Sequence, residues 1–211
     1  MAIRKKRQRI ATGKIGKTNT YILNGQLVSR EIGFTTNEPT PNQLPVRNRT
    51  RLVTALLAPV LPFVRIGFEQ VSKGTTSSAY NVATSVNWRN AVVGQYPDQY
   101  IDYALASFSK GKIPVLEDVT VEVINKGLQF TWNPNFILRG MSSVDKVMLL
   151  AYCPANSEAY YILDGEKRLK GKDILELDPF VKNIAVHTYV AFISADRKNI
   201  SNTFYTGKFL W

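Results

Sequence analysis

The segment ATGKIGKT at positions 11–18 fits the spelling of a phosphate-binding loop, with Lys17 in the place of the phosphate-binding lysine. In such a loop a buried parallel strand leads into the glycines, and a helix follows at once so that its N-terminus faces the phosphates. The preceding segment RKKRQRI is too charged for a buried strand. A hairpin signal, Asn24-Gly25, follows where the helix is required. We therefore expect the match to be accidental.

Cys153 and His187 are the only cysteine and the only histidine of the chain. An intramolecular disulfide is therefore impossible, and a zinc site would need about four such ligands. A Cys-His dyad or a Ser-His-acid triad would have to use His187, which lies in the apparent strand IAVHTYVAFI. We expect Cys153 to be a packing residue and His187 to be a hydrogen-bonded strand residue.

Acidic residues cluster at Glu117-Asp118 and at Asp173, Glu176 and Asp178. A glycosidase needs two carboxylates facing each other across a cleft, whereas adjacent carboxylates at a strand end are usually solvated. The turn segments DGEK and DRKN lack the spacing of a calcium loop. We expect no enzyme activity, no metal, no cofactor and no small-molecule substrate.

Positive charge is concentrated in the N-terminal third of the chain. The formal net charge is +11, and residues 1–66 contain 12 Lys/Arg against two acidic residues. Such asymmetry favours a polyanionic partner: nucleic acid, an anionic membrane surface or an acidic protein face. A basic tail that only aids solubility is the alternative.

Ten of the eleven lysines and arginines in the first 51 residues are the candidate partner-binding groups. Phosphate contacts by such side chains are salt-dependent and carry no sequence information. The helical arginines could equally form a solvated helix face. Tyr21, Tyr80, Tyr96, Tyr100 and Tyr103 are candidate stacking residues, although most of them are expected in the core or on a sheet surface. The basic candidates are Arg4, Lys5, Lys6, Arg7, Arg9, Lys14, Lys17, Arg47, Arg49 and Arg51.

Turn and cap signals divide the N-terminal half into a hairpin and helices. Asn24-Gly25 predicts a type I′ turn between strands 17–23 and 26–32. A helix is predicted from Thr40-Pro41, or from Pro45, to about Ala58, with a second short helix after it. Residues 77–94 predict another helix with a serine cap and a glycine stop. The segment QYIDYALASFS predicts a strand.

From about residue 114 the sequence predicts seven short strands with a turn signal every 8 to 12 residues, the layout of a β-sandwich. Trp132 is predicted in its core. We expect a mainly β protein with a few helices, an α+β N-terminal part and an antiparallel sandwich. The expected division is a flexible basic arm (1–12), a hairpin with helices (13–113) and the sandwich (114–211).

No apolar run reaches the roughly 18 residues that a membrane span needs. The longest, LVTALLAPVLPFV, contains two prolines. The basic N-terminus is not followed by a continuous apolar segment, so no secretory signal is predicted. We expect cytoplasmic synthesis, with a virion or another assembled particle as a possible destination.

Several segments together resemble an uncharacterised bacterial family of unknown function. They are GKIGKTNTYILNGQLVSREIG, TPNQLPVRNRTRLVTALLAPVLPFVRIGF, AYNVATSVNWRNAVVGQYPDQYIDYALASFSKGKIP and TYVAFISADRKNISNTFYTG. The resemblance implies a basic hairpin and helix region before a fibronectin-type-III-like sandwich, with Tyr189 as a core aromatic on its penultimate strand. It transfers no activity and no catalytic residue. The dense basic run before residue 10 departs from the family pattern.

The leading hypothesis is a non-enzymatic structural or assembly protein of a phage-like particle. Its arm and hairpin would contact neighbouring subunits, by self-association or with other structural proteins, or would contact nucleic acid. The alternative is a cytosolic nucleic-acid-binding protein without sequence specificity, and an enzyme comes third. Whether the arm binds nucleic acid or protein stays open at this point.

Overall fold

The computed structural model describes residues 12–23, 26–34, 37–114, 116, 118–135 and 137–211. The chain divides into two compact units, Met1–Thr40 and Pro41–Trp211. Within the described residues it is mainly β, with twelve strands in four antiparallel sheets and four α-helices. This agrees with the predicted fold class.

Three antiparallel strands form the sheet of the N-terminal unit. They are β1 (Gly13–Ile15), β2 (Thr18–Leu23) and β3 (Gln26–Glu31), in the order β1-β2-β3. The predicted hairpin is confirmed to within one residue at each end. Strand β1 was not predicted. The predicted type I′ turn at Asn24-Gly25 lies outside the described residues.

Four helices open the second unit: α1 (Gln43–Leu57), α2 (Leu61–Gly67), α3 (Glu69–Ser72) and α4 (Ala79–Asn90). The predicted serine cap of α4 is confirmed, because the Ser78 hydroxyl accepts from the Asn81 amide at 3.2 Å. Helix α1 begins two residues after Pro41, with Asn42 at its N-cap position.

The segment after α4 differs from the prediction. The helix ends before Gly94, and the chain continues into a short antiparallel pair, β4 (Val92–Val93) and β5 (Tyr100–Ile101). The long strand predicted from QYIDYALASFS is wrong, because Tyr103–Leu105 forms a 3₁₀ turn. The Asp102 carboxylate accepts from the Ala104 amide at 3.0 Å, and this local bond competes with strand geometry.

Seven strands follow, as predicted: β6 (Thr120–Ile124), β7 (Gly127–Thr131), β8 (Lys146–Cys153), β9 (Glu158–Ile162), β10 (Lys172–Glu176), β11 (Ala185–Ile193) and β12 (Phe204–Leu210). They form one sheet in the order β10-β7-β6 and another in the order β12-β11-β8-β9. Leu128 and Phe130 of the first sheet share a core with Leu149 and Phe192 of the second. The two sheets therefore pack face to face as a sandwich.

The opposite face of the four-stranded sheet is also buried, against the helices. Leu150 and Tyr189 share a second core with Leu57, Phe63 and other residues of the helical segment. Strands β8 and β11 thus bury both of their faces, which explains their nearly continuous apolar runs VMLLAYC and VAFI. The predicted core positions of Trp132 and Tyr189 are confirmed.

This shared core bears on the expected domain division. The boundary expected between residues 113 and 114 falls inside the compact unit Pro41–Trp211. The helices could not form a separate globule without exposing the apolar side chains that they bury against β8 and β11. The amino-acid composition changes near residue 114, but one hydrophobic core contains residues from both sides of this position.

One charged pair is buried among the apolar residues of the sandwich. Arg168 is fully buried, and its Nη2 lies 3.5 Å from Oδ2 of Asp145. The guanidinium stacks on the Phe192 ring at 3.9 Å from its centroid. Its Nε and Nη1 atoms have no hydrogen-bond partner, so the pair is only partly satisfied.

Candidate functional site

The strand register places the side chains of the N-terminal sheet on two faces. Lys14 pairs with Asn19, and Asn19 pairs with Arg30, so the three residues form one row across the sheet. Tyr21 and Val28 pair two residues further along β2 and β3 and lie on the same face. We name this side, with Lys14, Asn19, Tyr21, Val28 and Arg30, the cationic face.

The cationic face combines charge with an aromatic ring. Lys14 and Arg30 are exposed, while Asn19 and Tyr21 are half-buried. The Arg30 guanidinium lies 5.7 Å from the centroid of the Tyr21 ring. Two cations beside an amide and a ring can neutralise phosphate oxygens and offer a surface for stacking.

An open groove of about 610 Å³ runs along the row of basic residues. It contains one carboxylate residue, Glu31, which pairs with Thr18 in the adjacent row. The groove therefore carries two positive charges and one negative charge. Its lining residues are Lys14, Asn19, Arg30, Glu31, Ile32 and Gly33.

The other side of the same sheet is mostly uncharged. Ile22 pairs with Leu27, and these side chains are 57% and 52% exposed, while Ile15 is 68% exposed. Between them the Thr20 and Ser29 hydroxyls form a cross-strand hydrogen bond of 3.0 Å. We name this side, with Ile15, Thr20, Ile22, Leu27 and Ser29, the apolar face.

Gly16 and Lys17 form the tight turn between β1 and β2. Gly16 has φ +59°, a conformation that glycine adopts without steric cost. The Lys17 carbonyl accepts from the Ile32 amide at 2.6 Å. The antiparallel strand β2 begins at Thr18, where a phosphate-binding loop requires a helix. The segment therefore matches a phosphate-binding loop in sequence but not in structure.

The three arginines of α1 are not equivalent. Arg49 donates from Nη2 to the Val92 carbonyl at 2.5 Å, and its guanidinium lies 4.8 Å from the centroid of the Trp88 ring. It therefore ties α1 to the end of α4 and to β4. Arg47 and Arg51 are exposed. Arg51 donates from Nη2 to the Asn48 side-chain oxygen at 2.9 Å on the same helix, and both side chains remain accessible to a partner surface.

The densest part of the predicted basic patch cannot be placed. The candidates Arg4, Lys5, Lys6, Arg7 and Arg9 lie outside the described residues. Lys14 and Lys17 lie on the N-terminal sheet and its turn. The helical arginines belong to the other compact unit.

Cys153 and His187 lie on opposite faces of the four-stranded sheet. Cys153 packs in the core between the sheets, and burial raises the pKa of its thiol to about 11. The thiol is therefore protonated near neutral pH and is a poor nucleophile. His187 stacks on Tyr103, with ring centroids 4.2 Å apart, on the side that faces the helices. A Cys-His dyad is thus excluded by geometry.

His187 belongs to a cluster of aromatic side chains. Its Nδ1 lies 3.0 Å from the Tyr205 hydroxyl, and the Tyr189 hydroxyl donates to the Tyr103 carbonyl at 2.8 Å. Burial and, to a smaller extent, the positive charge of Lys208 lower the pKa of His187 to about 4, although Asp102 partly opposes the shift. The imidazole is therefore neutral near pH 7, as expected for a hydrogen-bonded strand histidine.

Two of the carboxylates singled out in the sequence accept hydrogen bonds from backbone amides. Asp173 accepts from the Glu166 amide at 2.9 Å, and Asp178 accepts from the Phe180 amide at 2.9 Å. Within the described part of the chain, no group of three or more His, Cys, Asp or Glu side chains could hold a metal ion.

Among the described residues, no single helix is long and apolar enough to cross a membrane; α1 and α2 meet the criterion only as a pair, bent by 94°.

Asn19 and Arg30 were not predicted as functional residues, although the sequence contains a signal for them. Strands β2 and β3 pair residues whose numbers add up to 49, the register that a two-residue turn predicted at Asn24-Gly25 requires. That relation places Arg30 opposite Asn19, and Tyr21 two residues away on the same face. In the sequence, Arg30 was counted among the lysines and arginines of residues 1–66 but was not assigned to a face of the sheet.

The comparisons with known proteins add a family but no activity. No curated protein and no solved structure matches the chain. One protein family, described as a family of unknown function (DUF6266), matches residues 13–207. Because this match covers nearly the whole sequence, the chain belongs to the DUF6266 family.

Proposed function

We propose that the protein is a non-enzymatic structural or assembly protein, and that its N-terminal sheet binds a neighbouring protein subunit through the apolar face. The observation that carries this proposal is the exposure of Ile15, Ile22 and Leu27 on one side of a single-layer sheet. A small sheet gains independent stability mainly by burying a hydrophobic face.

The charge distribution supports a protein partner on this face. Lys14 and Arg30 lie on the opposite side of the sheet, and the apolar face carries only Glu31 at one end. A second copy can therefore approach the apolar face without placing these cations in direct opposition, even though the N-terminal third is strongly basic.

The size of the sheet indicates a weak contact used many times. Strands of six residues at about 3.3 Å per residue, spaced about 4.8 Å apart, give a face of roughly 20 by 14 Å. This is well below the roughly 800 Å² per partner of a stable interface. Repeated weak contacts of this kind suit an ordered assembly such as a phage-like particle.

Self-association measured against protein concentration tests the proposal. We expect light scattering after size-exclusion chromatography to show species larger than a monomer, and Ile22→Thr/Leu27→Thr to shift them towards the monomer. Threonine retains strand propensity, so the sheet should persist. The matched control is Val123→Thr/Leu210→Thr, which alters two other exposed strand residues.

A chain that is monomeric at all concentrations and recovers no partner from its source would overturn the assembly proposal. An unchanged association of the Ile22→Thr/Leu27→Thr variant would count against the apolar face as the contact. The fibronectin-type-III-like assignment of the sandwich belongs to the same proposal, and the layout of three plus four strands supports it.

A further inference from the structure

We propose that the cationic face of the N-terminal sheet binds single-stranded nucleic acid without sequence specificity. Lys14 and Arg30 would neutralise phosphates, and Tyr21 would stack with an unpaired base. This inference does not rest on the assembly proposal, because the two use opposite faces of the sheet and different residues.

The first step is the alignment of Lys14, Asn19 and Arg30. Their pairing across three strands places both cations in one row, with the outer positions about 10 Å apart at the usual strand spacing. Asn19 lies between them and can donate from its amide to a phosphate oxygen. Both cations are exposed, so little desolvation opposes binding.

The second step is the aromatic ring next to this row. Tyr21 is half-buried and lies beneath the Arg30 guanidinium, at 5.7 Å from its centroid. This distance is long for a tight stack, so a base can insert beside the guanidinium and contact both groups. A cationic groove with an aromatic platform is the arrangement that binds single strands irrespective of sequence.

The third step distinguishes a single strand from a duplex. The bases of a duplex are stacked on one another and cannot lie against the Tyr21 ring. Lys14 and Arg30 are about 10 Å apart, which is less than the roughly 12 Å width of the major groove that separates the two backbones of a duplex. The two cations therefore fit one backbone and do not bridge both backbones of a duplex.

Glu31 gives the inference a distinctive consequence. The register places its side chain on the apolar side, but the residue borders the groove at the end of β3 together with Lys14 and Arg30, so its negative charge lowers the positive potential that attracts phosphate. Glu31→Gln keeps the shape of the side chain and removes the charge, and it should therefore tighten binding. A variant that strengthens binding cannot be explained by loss of the fold.

The test is fluorescence anisotropy of the full chain with a labelled oligothymidylate of about 16 nucleotides, over a range of salt concentrations. We expect Lys14→Ala/Arg30→Ala to weaken binding roughly tenfold and to reduce the slope of log K against log salt by about 1.4, at about 0.7 per phosphate contact. The matched control, Lys112→Ala/Lys126→Ala, removes two exposed charges elsewhere and should bind like the parent.

Stacking is tested separately from charge. Tyr21→Ile should weaken binding roughly 5- to 150-fold, the equivalent of losing one stacked base, without changing the salt slope. Tyr21→Phe should bind like the parent. Hydrogen exchange of the Ile32 amide, which donates to the Lys17 carbonyl, verifies that the sheet is intact in each variant.

Four results would overturn the inference. The first two are an affinity and salt slope of Lys14→Ala/Arg30→Ala equal to those of the parent, and an equal loss of affinity in the control Lys112→Ala/Lys126→Ala. The other two are equal losses of affinity in Tyr21→Ile and Tyr21→Phe, and tighter binding of a duplex of the same length. Weaker or unchanged binding by Glu31→Gln would contradict the geometry of the groove.

Discussion

Removing the carboxylate of the buried Asp145–Arg168 pair should destabilise the sandwich strongly. Arg168 is fully buried, and among the described residues its charge is met by Asp145 at 3.5 Å and by the Phe192 ring. Asp145→Ala would leave this cation without a counter-charge in an apolar core. Such a loss typically costs about 3 to 5 kcal/mol. The Ser142 amide, which donates to Asp145 Oδ2 at 2.7 Å, would lose its acceptor as well.

The double variant Asp145→Ala/Arg168→Met separates an unpaired charge from a simple loss of packing. It removes the cation together with its two unpartnered donors, Nε and Nη1. Replacing both members of a buried pair by apolar side chains is often neutral or stabilising. We therefore expect the double variant to be about 2 kcal/mol more stable than Asp145→Ala alone.

Urea unfolding followed by tryptophan fluorescence measures these differences. Trp132 is a local reporter, because its Nε1 donates to the Arg168 carbonyl at 2.7 Å, a bond that the substitutions leave in place. A cost below about 1 kcal/mol for Asp145→Ala would refute the reasoning. So would a double variant less stable than the single one, since the orphaned charge would then not be the cause.

Three further predictions concern His187, Gly127 at the start of β7, and Arg49 of α1. Because the folded-state pKa of His187 is about 4, below its usual 6.5, its contribution to stability is complete above about pH 6.5 and is lost as pH falls towards 4. After allowance for solvent screening we expect acidification to lower the free energy of unfolding by an amount on the order of 1 to 2 kcal/mol. Denaturant unfolding at two pH values should show this loss, and the loss should be smaller in His187→Gln. Gly127→Ala should cost about 2 kcal/mol or more in the same assay, because Gly127 has φ +153° and an added Cβ would lie 2.1 Å from the Leu175 carbonyl oxygen; an unchanged midpoint would contradict this. Arg49→Ala should cost about 2 kcal/mol by thermal unfolding, through a lost hydrogen bond and a lost ring contact, and Arg49→Lys should not restore it, because an ammonium cannot reproduce the planar contact.

Features with a local cause could be predicted from the sequence. The Asn24-Gly25 signal fixed the hairpin, and Ser78 marked the start of α4, because turn and cap preferences act within a few residues. The seven sandwich strands followed from turn spacing and apolar patterning. Each of these signals depends on neighbours along the chain.

Features with a distant cause could not be predicted in this way. Arg49 was interpreted as a partner-binding residue, whereas its contacts are to Trp88 and Val92, about 40 positions away in sequence. The burial of both faces of β8 depends on helices that precede it by many residues. Such contacts are set by packing between elements, and periodicity does not encode them.

The cationic face lies between these two cases. Its rows follow from turn length, which is local, but the prediction requires the register to be applied residue by residue. Asn19 and Arg30 were accessible by that route, whereas the groove beside them was not, because Ile32 and Gly33 lie beyond the paired part of β3.

The four-stranded sheet also determines how the chain can be divided for experiments. A fragment that begins near residue 114 would expose Met148, Leu150 and Tyr189 to water, and the complementary fragment would expose the helical residues that cover them. Neither piece would behave as an independent module. The helices and the sandwich should therefore unfold in one transition, and useful dissection of the protein should be made near Thr40, at the border between its two compact units.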